Sequence, residues 1–469
     1  MKFPPSILFG AALIGAALFF IRHLSSAFYL GTTTVDHPYA LFTAALMFSG
    51  LVWAALIPAF NSWATQNASS AQSDNIWPSL GIILALGLAF RAIFFASTPI
   101  YEDDWNRYLW DGVVITQGES PYTYSPKDIL NNTAPADTLS LKQISDANDN
   151  FLTRINNIQL TTIYPPAAQA VFAIAAFIKP LNLDALRFLF LVSEALTLFL
   201  MIKALTLYGR NPLWVGLYAL NPLLIFSAFN AAHMDILLAP ALTATVIAMR
   251  KNPFIAAITL SAAAAVKIWP LLLAPIIFRP WRRDLKIYFS CALIVGGLTL
   301  ILLWPMLSTL GGNSGLAAYS TGWQRSSFLF PLLEKGLTGI YAQPGNLARI
   351  IIALILIGLS VWRGLISPIG ELSKRPAELM LITLALYLLS PTGFPWYLIW
   401  VLIFIPFFPS YGLAALCVLT PLYYVRFRLG ELGQYDIYTN WLIPLQFGIP
   451  ILILIFEFFR RDKHARPYY

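Results

Sequence analysis

Long apolar runs recur along this chain and constrain its fold more than any other feature. A helix needs roughly 17 to 25 mostly apolar residues to cross the hydrocarbon core of a bilayer, and such runs recur from residue 6 to residue 459. Only 11% of the 469 residues are charged, whereas 58% are hydrophobic, which excludes an ordinary soluble domain. The sequence therefore predicts an integral membrane protein.

The expected fold class is all-α, a polytopic transmembrane helical bundle with about 11 to 14 membrane segments in a single integral membrane domain over residues 1–469. Lipid offers no partner to an open backbone edge, and the polar and apolar alternation of a membrane barrel is absent from the sequence. Arg22 and His23 follow the first run without a small-residue cleavage site, so we expect an uncleaved helix. Cys291 and Cys417 fall in apolar runs and indicate no disulfide framework.

The charge distribution predicts an orientation in the membrane. Basic residues cluster at 279–286, at 363–375 and in the tail from Arg460, as is usual on the cytoplasmic side. Residues 98–163 hold nine acidic and four basic side chains, so we expect them to form the first large extracytoplasmic loop and to carry the catalytic face. Residues 307–346 are expected to form a second extracytoplasmic loop. The net charge of +8 follows from the cytoplasmic clusters and does not indicate nucleic-acid binding.

One region conflicts with simple alternation of membrane passes. If every apolar run between residues 164 and 278 crossed the membrane once, Lys203, Arg210, Arg250 and Lys251 would lie outside. Broken or re-entrant helices in this region would remove the conflict.

An acidic cluster, Glu102, Asp103 and Asp104, directly follows an apolar run. A helix from Asp103 to Val114 is predicted, because acidic residues suit the positive end of a helix dipole. One face of this helix would carry four residues that are spaced i, i+3, i+4 and i+7, namely Asp104, Arg107, Tyr108 and Asp111. We expect a short amphipathic helix at the outer membrane surface with carboxylates on its polar face. The alternative is that these acids only cap the helix and pair with Arg107.

Five stretches together carry a resemblance to a known family. In chain order they are IYEDDWNRYLWDGVVITQGESPYTYSP, TIYPPAAQAVFAIA, NPLLIFSAFNAAHMD, AAAAVKIWPLLLAPIIF and SPTGFPWYLIW. From about residue 75 to residue 410 the chain resembles the bacterial membrane mannosyltransferases of the C-type glycosyltransferase superfamily. Glycosyltransferase family 87 and the catalytic subunit of GPI mannosyltransferase I are the groups to which it is most similar.

The resemblance implies a membrane enzyme that moves a hexose, usually mannose, from a polyprenyl-phosphate sugar to a lipid or glycan acceptor on the extracytoplasmic face, with inversion. It also implies the bacterial inner membrane, with the active site facing the periplasm or exterior. In such enzymes an aspartate of the first outer loop is the general base, and the matching motif here is Glu-Asp-Asp. Asp104 is the favoured base, because it shares a helix face with Arg107 and Asp111, and Asp103 is the alternative.

Further side chains are candidates for binding the substrates. A departing phosphate needs cations, and Lys267 lies within an apolar segment near Pro270, where an ammonium is by default a functional hypothesis. The expected substrate-binding residues are Glu102, Arg107, Asp111, Tyr164, His233, Asp235, Lys267, Trp323, Arg325, Trp396 and Tyr397. Snorkelling of Lys267, a structural role for His233 and a membrane-belt role for the aromatic residues are the alternatives. No cofactor is expected and no residue is assigned as a metal ligand, although a divalent cation stays open.

Rival functions stay open at this point. A transporter or lipid-linked-sugar flippase without chemistry would show paired repeats with ionisable residues near the membrane midplane, and no convincing internal repeat is found. An enzyme for arabinose, glucose or an aminosugar, and an accessory subunit that only binds a glycan, fit the same pattern. The sequence alone leaves the sugar, the acceptor and the oligomeric state undetermined.

Overall fold

The structure is a computed structural model that describes residues 3–29, 37–67, 76–135, 138–311, 314–366 and 374–463. Residues 461–463 are described by their backbone only. The side chains of the basic tail beyond Arg460 lie outside the described part of the chain. Within the described ranges the chain forms helices and no β-strand, apart from one isolated parallel bridge between Arg325 and Thr392.

The α-helices are numbered in chain order. The first group is α1 (Pro5–Ser25), α2 (Tyr39–Gln66), α3 (Trp77–Ala92), α4 (Asp104–Thr116), α5 (Pro126–Leu130), α6 (Leu139–Ala147), α7 (Pro166–Ile178) and α8 (Leu183–Leu207). The second group is α9 (Val215–Ala219), α10 (Pro222–Ile225), α11 (Leu238–Lys251), α12 (Pro253–Val266), α13 (Ala274–Phe278), α14 (Leu285–Leu307), α15 (Gly315–Gly322) and α16 (Leu329–Leu337). The third group is α17 (Pro344–Val361), α18 (Arg375–Leu389), α19 (Leu398–Leu402), α20 (Tyr411–Leu419), α21 (Val425–Glu431), α22 (Tyr435–Ile437) and α23 (Ile443–Lys463).

Short 3₁₀ and π segments continue or connect these helices. The 3₁₀ turns are Ser26–Phe28, Phe151–Arg154, Pro212–Trp214, Met234–Leu237, Trp269–Leu273, Arg279–Trp281, Pro395–Tyr397 and Thr420–Tyr424, and the π segments are Phe226–Asn230, Trp362–Ile366 and Tyr438–Leu442.

The described residues contain seven helices long and apolar enough to cross a membrane, or eight if the bent pair Pro212–Ala219 and Pro222–Asn230 forms one span. The seven are Pro5–Phe28, Tyr39–Gln66, Leu183–Leu207, Leu285–Leu307, Pro344–Ile366, Tyr411–Glu431 and Tyr435–Arg460. The all-α polytopic class is confirmed, and the chain is an integral membrane protein. Three shorter apolar helices, Trp77–Ala92, Pro166–Ile178 and Pro253–Val266, accompany these seven or eight among the described residues, where 11 to 14 membrane segments were expected.

Asn-Pro pairs explain why several apolar runs form short helices. The side chains of Asn211, Asn221 and Asn252 each accept a hydrogen bond from a backbone N–H two or three residues later, and each is followed by proline. Asparagine is a preferred N-cap, and proline suits the first helical position but cannot continue a preceding helix. Each pair therefore begins a new helical segment, and the Asn221-Pro222 pair does so inside one apolar run, where it forms the bend between Pro212–Ala219 and Pro222–Asn230.

Helix α7 lies at the start of the region where charge conflicts with simple alternation of membrane passes. With 13 residues it is about 20 Å long, too short to span the hydrocarbon core. The start of α8 contacts the loop before α4, where Asp184 accepts a hydrogen bond of 3.0 Å from the Ala96 N–H. At the other end of α8, Arg250 donates to the Leu207 carbonyl.

The far end of α8 joins the main basic cluster. Tyr208 has electrostatic contacts with Arg250 and Arg375, and Arg375 has one with Arg279. Arg279 pairs with Glu378 at 2.6 Å. We call this the basic end of the bundle, and the end that holds residues 98–163 the loop end.

The predicted helix in the acidic stretch forms as α4, Asp104–Thr116, but it is not an amphipathic surface helix. Every residue from Asn106 to Val114 is buried. Gly112 allows this, because a Cβ there would lie 2.2 Å from the Phe172 carbonyl oxygen of α7. The loop between α4 and α7 covers α4, so the expected exposed polar face of carboxylates was wrong.

A buried ion pair connects α3, α8 and α9. Arg91 and Glu194 are 0% exposed, and Arg91 Nε donates to Glu194 Oε2 at 2.8 Å. The Tyr218 hydroxyl donates to Glu194 Oε1 at 2.6 Å, and Arg91 Nη1 donates to the carbonyls of Gly87 and Ala219. All the charged atoms of the pair therefore have partners inside the bundle.

Glu194→Ala should lower the free energy of unfolding by about 3 to 5 kcal/mol, because it leaves Arg91 buried without its counter-charge. Thermal and denaturant unfolding of the detergent-solubilised protein, followed by tryptophan fluorescence, measures this. The double variant Arg91→Met/Glu194→Leu replaces both charges with apolar groups and should recover much of the loss. A Glu194→Ala protein as stable as the parent would contradict the role of the pair.

Candidate active site

A cavity of about 660 Å³ opens at the loop end of the bundle. Polar and charged groups line one part of it, including Glu102, Asp103 and Asp104. An apolar part is formed by Ile268, Trp269, Met306, Leu316 and Leu386. A cavity with a few convergent charged groups and an apolar wall is the default location of a binding or catalytic site.

Two backbone segments that carry the cavity residues are tied together by Arg187. Its guanidinium donates to the carbonyl of Ser97 at 2.9 Å and to those of Phe229 and Asn230 at 2.7 and 3.2 Å. The Asn230 side chain bonds the same two segments, because it accepts from the Ile100 N–H and donates to the Thr98 carbonyl. The backbone before Glu102 is therefore fixed relative to the backbone before His233.

The acidic cluster is held by an amide from a distant loop. Asn156 Nδ2 donates to Asp103 Oδ1 at 2.7 Å and to Asp104 Oδ1 at 2.9 Å. Asp103 is exposed, whereas the Asp104 side chain is 27% exposed and faces the cavity. Asp104 thus combines partial burial with access to the cavity.

Burial determines the protonation of these acids. It raises the pKa of Asp104 to about 6, with a further upward contribution from the Asp103 charge and opposing ones from the Asn156 hydrogen bond and the Lys267 charge. Burial and the neighbouring Asp104 charge hold the pKa of Glu102 well above its usual range. A carboxyl group with a pKa near 6 is suited to taking up a proton near neutral pH.

His233 lies behind the carboxylates. It is 0% exposed, and its ring stacks on Trp396 with a centroid distance of 3.6 Å. Nε2 is 3.7 Å from Glu102 Oε2, and Nδ1 is 3.8 Å from Asp104 Oδ2. His233 therefore contacts the acidic cluster and does not itself line the cavity.

A cationic group enters the cavity where α12 ends. Lys267 Nζ lies 2.7 Å from Asp235 Oδ1, which also accepts a 2.6 Å hydrogen bond from Trp400 Nε1. The ammonium is 4.3 Å from the Tyr397 ring centroid and 4.7 Å from that of Trp400. Because an ammonium has three donor hydrogens, Lys267 can bind an anion while it keeps Asp235. Its side chain is 19% exposed.

A second cation, Arg426, lines the cavity near Glu102. Its guanidinium lies 4.4 and 4.3 Å from the ring centroids of Tyr423 and Phe427, and Nη2 donates to the Tyr423 hydroxyl at 2.7 Å. The aromatic contacts orient the planar group.

The second loop covers the cavity. The Tyr319 hydroxyl of α15 is 2.8 Å from that of Tyr397 and 3.1 Å from Thr392 Oγ1. Trp323 and Arg325 follow α15 and line the cavity, and the Arg325 backbone pairs with that of Thr392. The Arg325 side chain is exposed, so its charge is accessible at the cavity surface.

Comparison with known families is decisive for the class of protein. The family model of the MptA_B family, described as alpha-(1->6)-mannopyranosyltransferase, N-terminal domain, matches residues 6–283. The chain belongs to this family. No curated protein and no solved structure matches it. The protein is therefore a membrane mannosyltransferase, which has a sugar donor and a glycan or lipid acceptor. The matched residues include Glu102, Asp103, Asp104, Asn156 and Lys267.

Most of the predicted site residues of the mannosyltransferase converge on the cavity. Its lining includes Glu102, Asp103, Asp104, Tyr164, Asp235, Lys267, Trp323, Arg325, Trp396 and Tyr397. Arg107 and Asp111 are not among the lining residues. They pair with each other at 2.7 Å inside the fold, and Gln169 donates to Asp111 at 2.8 Å.

Strained backbone flanks several of these residues. Tyr101, Asn157, Ala232 and Ser326 have left-handed φ values of 60°, 47°, 56° and 52°, and each is next in sequence to a residue at the site, namely Glu102, Asn156, His233 and Arg325. Such conformations cost about 1 to 3 kcal/mol each and concentrate at functional sites.

Sequence reasoning missed Asn156, Tyr319 and Arg426. An arginine within an apolar run was a usable signal for Arg426, since intramembrane charges are commonly functional. No local pattern distinguished Asn156 from the neighbouring asparagines of its loop. Among the described residues no three or more His, Cys, Asp or Glu side chains are arranged to hold a metal ion.

Proposed function

We propose that this mannosyltransferase uses Asp104 as general base and takes mannose from a polyprenyl-phosphate mannose. The observation that carries the proposal is a half-buried carboxylate with a pKa of about 6 that faces the same cavity as Lys267. A base and an anion-binding cation on one cavity are the two groups that transfer from a sugar phosphate requires.

The reaction follows from these positions. Asp104 takes the proton of the acceptor hydroxyl as its oxygen bonds to the anomeric carbon. The bond from that carbon to the phosphate oxygen breaks, and its electron pair leaves with the phosphate. Attack opposite to the leaving group inverts the anomeric centre, as in inverting glycosidases.

The family description adds an expected linkage. An α-(1→6) product would form at the primary 6-hydroxyl of a sugar unit in the acceptor. Because inversion is proposed, the donor would carry its mannose in the β configuration. Polar lining residues such as Asn157 and Gln324 offer hydrogen bonds to acceptor hydroxyls.

The remaining walls suit a lipid-linked donor. Lys267, Arg426 and Arg325 are candidate partners for the phosphate, and the apolar wall that includes Met306 and Leu386 suits the first part of an isoprenoid chain. Trp396 and Tyr397 also line the cavity and are proposed to bind substrate.

The proposed location of the site is the extracytoplasmic side of a bacterial inner membrane. Helix α14 supports this orientation, because Met306 at one end lines the cavity while Arg283 and Lys286 lie at the other. Its 23 residues are about 34 Å long, which is enough to cross the bilayer. The basic end is then cytoplasmic by the positive-inside rule.

Asp104→Asn should reduce transfer of labelled mannose from polyprenyl-phosphate mannose to membrane lipids by at least about 100-fold, because an amide cannot accept the proton. In the parent, kcat/KM should fall about tenfold per pH unit below pH 6, because Asp104 becomes protonated there. We call this fall the acid limb of the pH profile. Any residual activity of the variant should show no acid limb.

Asp103→Asn is the matched control for the base. It should retain most of the turnover at alkaline pH, whereas loss of activity in Asp103→Asn alone would move the base by one residue. Parental rates in both variants and in the double variant would exclude an aspartate base here. Label that crosses the bilayer without forming a new lipid product would instead indicate a flippase.

Lys267→Met should weaken donor binding about 10- to 100-fold, since a charge-assisted contact to phosphate contributes about 1.5 to 3 kcal/mol. Competition binding with polyprenyl phosphate measures this. Lys267→Met also leaves Asp235 unpaired, so Lys267→Met/Asp235→Asn is the control that restores charge balance. Parental donor affinity in both variants would show that Lys267 only pairs with Asp235.

Ser140→Cys tests the orientation, because Ser140 is exposed on α6. An impermeant maleimide should label it in spheroplasts, whereas Arg283→Cys at the exposed basic end should react only after permeabilisation. The parent, whose Cys291 and Cys417 are buried, is the unlabelled control. The opposite pattern would place the site in the cytoplasm.

A further inference from the structure

One amide group contacts both aspartates of the acidic cluster. Asn156 Nδ2 donates at 2.7 Å to Asp103 and at 2.9 Å to Asp104, which lie 53 and 52 residues away in sequence. An amide nitrogen has two hydrogens, so one can be given to each carboxylate. Asp104 Oδ1 is thereby occupied, and Oδ2 is left without a hydrogen bond from Asn156.

The loop that carries Asn156 is anchored to the protein. Phe151, Leu152 and Ile155 are buried, and the Leu152 N–H donates to Ser145 Oγ at 3.1 Å. The left-handed residue Asn157, with a φ of 47°, follows Asn156 and begins a turn in which its carbonyl accepts a 3.0 Å hydrogen bond from the Leu160 N–H.

The Arg107–Asp111 pair fixes the other side of this loop. Arg107 Nη1 donates to the Leu160 carbonyl at 3.0 Å, while its Nε contacts Asp111. These two residues, which are absent from the cavity lining, therefore support the loop that delivers Asn156 to the carboxylates.

We propose that Asn156 is a positioning residue that holds Asp103 and Asp104 as one unit and leaves Oδ2 of Asp104 to take the acceptor proton. The proposal rests on the function proposed above. Without the shared amide, two neighbouring like charges would rotate apart or one of them would hold its proton. The Asp103 charge then raises the pKa of Asp104, and the hydrogen bond from Asn156 lowers it.

Other ionisable residues also face Asp104, and none of them is substituted in the comparison below. They are Glu102, Tyr108, Tyr164, His233, Asp235, Lys267 and Tyr397. Substitution of Asp103 or Asn156 leaves each of these residues in place, so a difference between the two variants reports on the amide and its two carboxylates.

The test measures kcat/KM as a function of pH in two variants and compares the pH position of the acid limb. The full-length protein is assayed in detergent, with labelled polyprenyl-phosphate mannose as donor and membrane lipids as acceptor. Asn156→Ala removes a hydrogen bond that favours the ionised base, so the limb should move to higher pH by about one unit. Asp103→Asn removes a like charge, so the limb should move to lower pH by roughly 0.5 unit.

Shifts in opposite directions support the proposal, because a general loss of structure would not move the two limbs apart. Asn148→Ala, in the same loop and hydrogen-bonded to the Ile144 carbonyl, is the matched control and should leave the limb at its parental position. Asn156→Ser, which keeps a single donor hydrogen, is the second variant if Asn156→Ala does not fold, and its limb should also move upward.

Two failures can be distinguished. If Asp104→Asn is inactive while the Asn156→Ala and Asn156→Ser limbs stay at the parental pH, Asn156 does not position the base and only this inference is overturned. If Asp104→Asn keeps the parental rate and limb, the proposed base is wrong, and the positioning role is overturned with it.

Discussion

The cost of burying a charge in an apolar bundle is the constraint on which the rest of this structure depends. Away from the cavity the bundle meets it with buried ion pairs, as in Arg91 with Glu194 and Arg279 with Glu378. At the cavity the pairing is incomplete, because Oε1 of Glu102 and both ring nitrogens of His233 are buried without a hydrogen-bond partner. Buried atoms without a partner are costly, and others of this kind lie at the basic end, at Nε of Arg279 and at Nε and Nη1 of Arg375.

Interrupted helices carry residues of the cavity and its surroundings. Lys267 follows the end of α12, and His233 follows a π segment, Phe226–Asn230. Irregular backbone is tolerated at membrane depth where protein buries it or where it lines a cavity. The breaks that shorten the helices therefore place side chains from distant helices around the cavity. The cavity lies at the loop end, away from the basic end.

The site divides its charges between two tasks. The acidic side holds Asp104 beside Asp103 and Asn156, and burial raises the pKa of Asp104 to about 6. The cationic side holds Lys267 against Asp235 and two aromatic rings, so its charge is oriented before an anion arrives. Fixed groups of this kind need little reorganisation during a reaction, which is why the packing around the site bears directly on the proposed chemistry.

Apolar run length and residue type were sufficient to predict the all-α membrane class and the helix that begins at Asp104, because these depend on local hydrophobicity and local charge. The Asn-Pro pairs that shorten the spans were also visible, but the extent to which they break a run depends on what packs around it. The burial of α4, the Arg107–Asp111 pair and the convergence of Asn156 and Arg426 on the acidic cluster were decided only by the tertiary structure. Asn156 lies 52 residues from Asp104, and an amide has no local signature of its function. The contacts of Asn156 with Asp103 and Asp104 arise from the position of its loop, which the packing of distant segments determines.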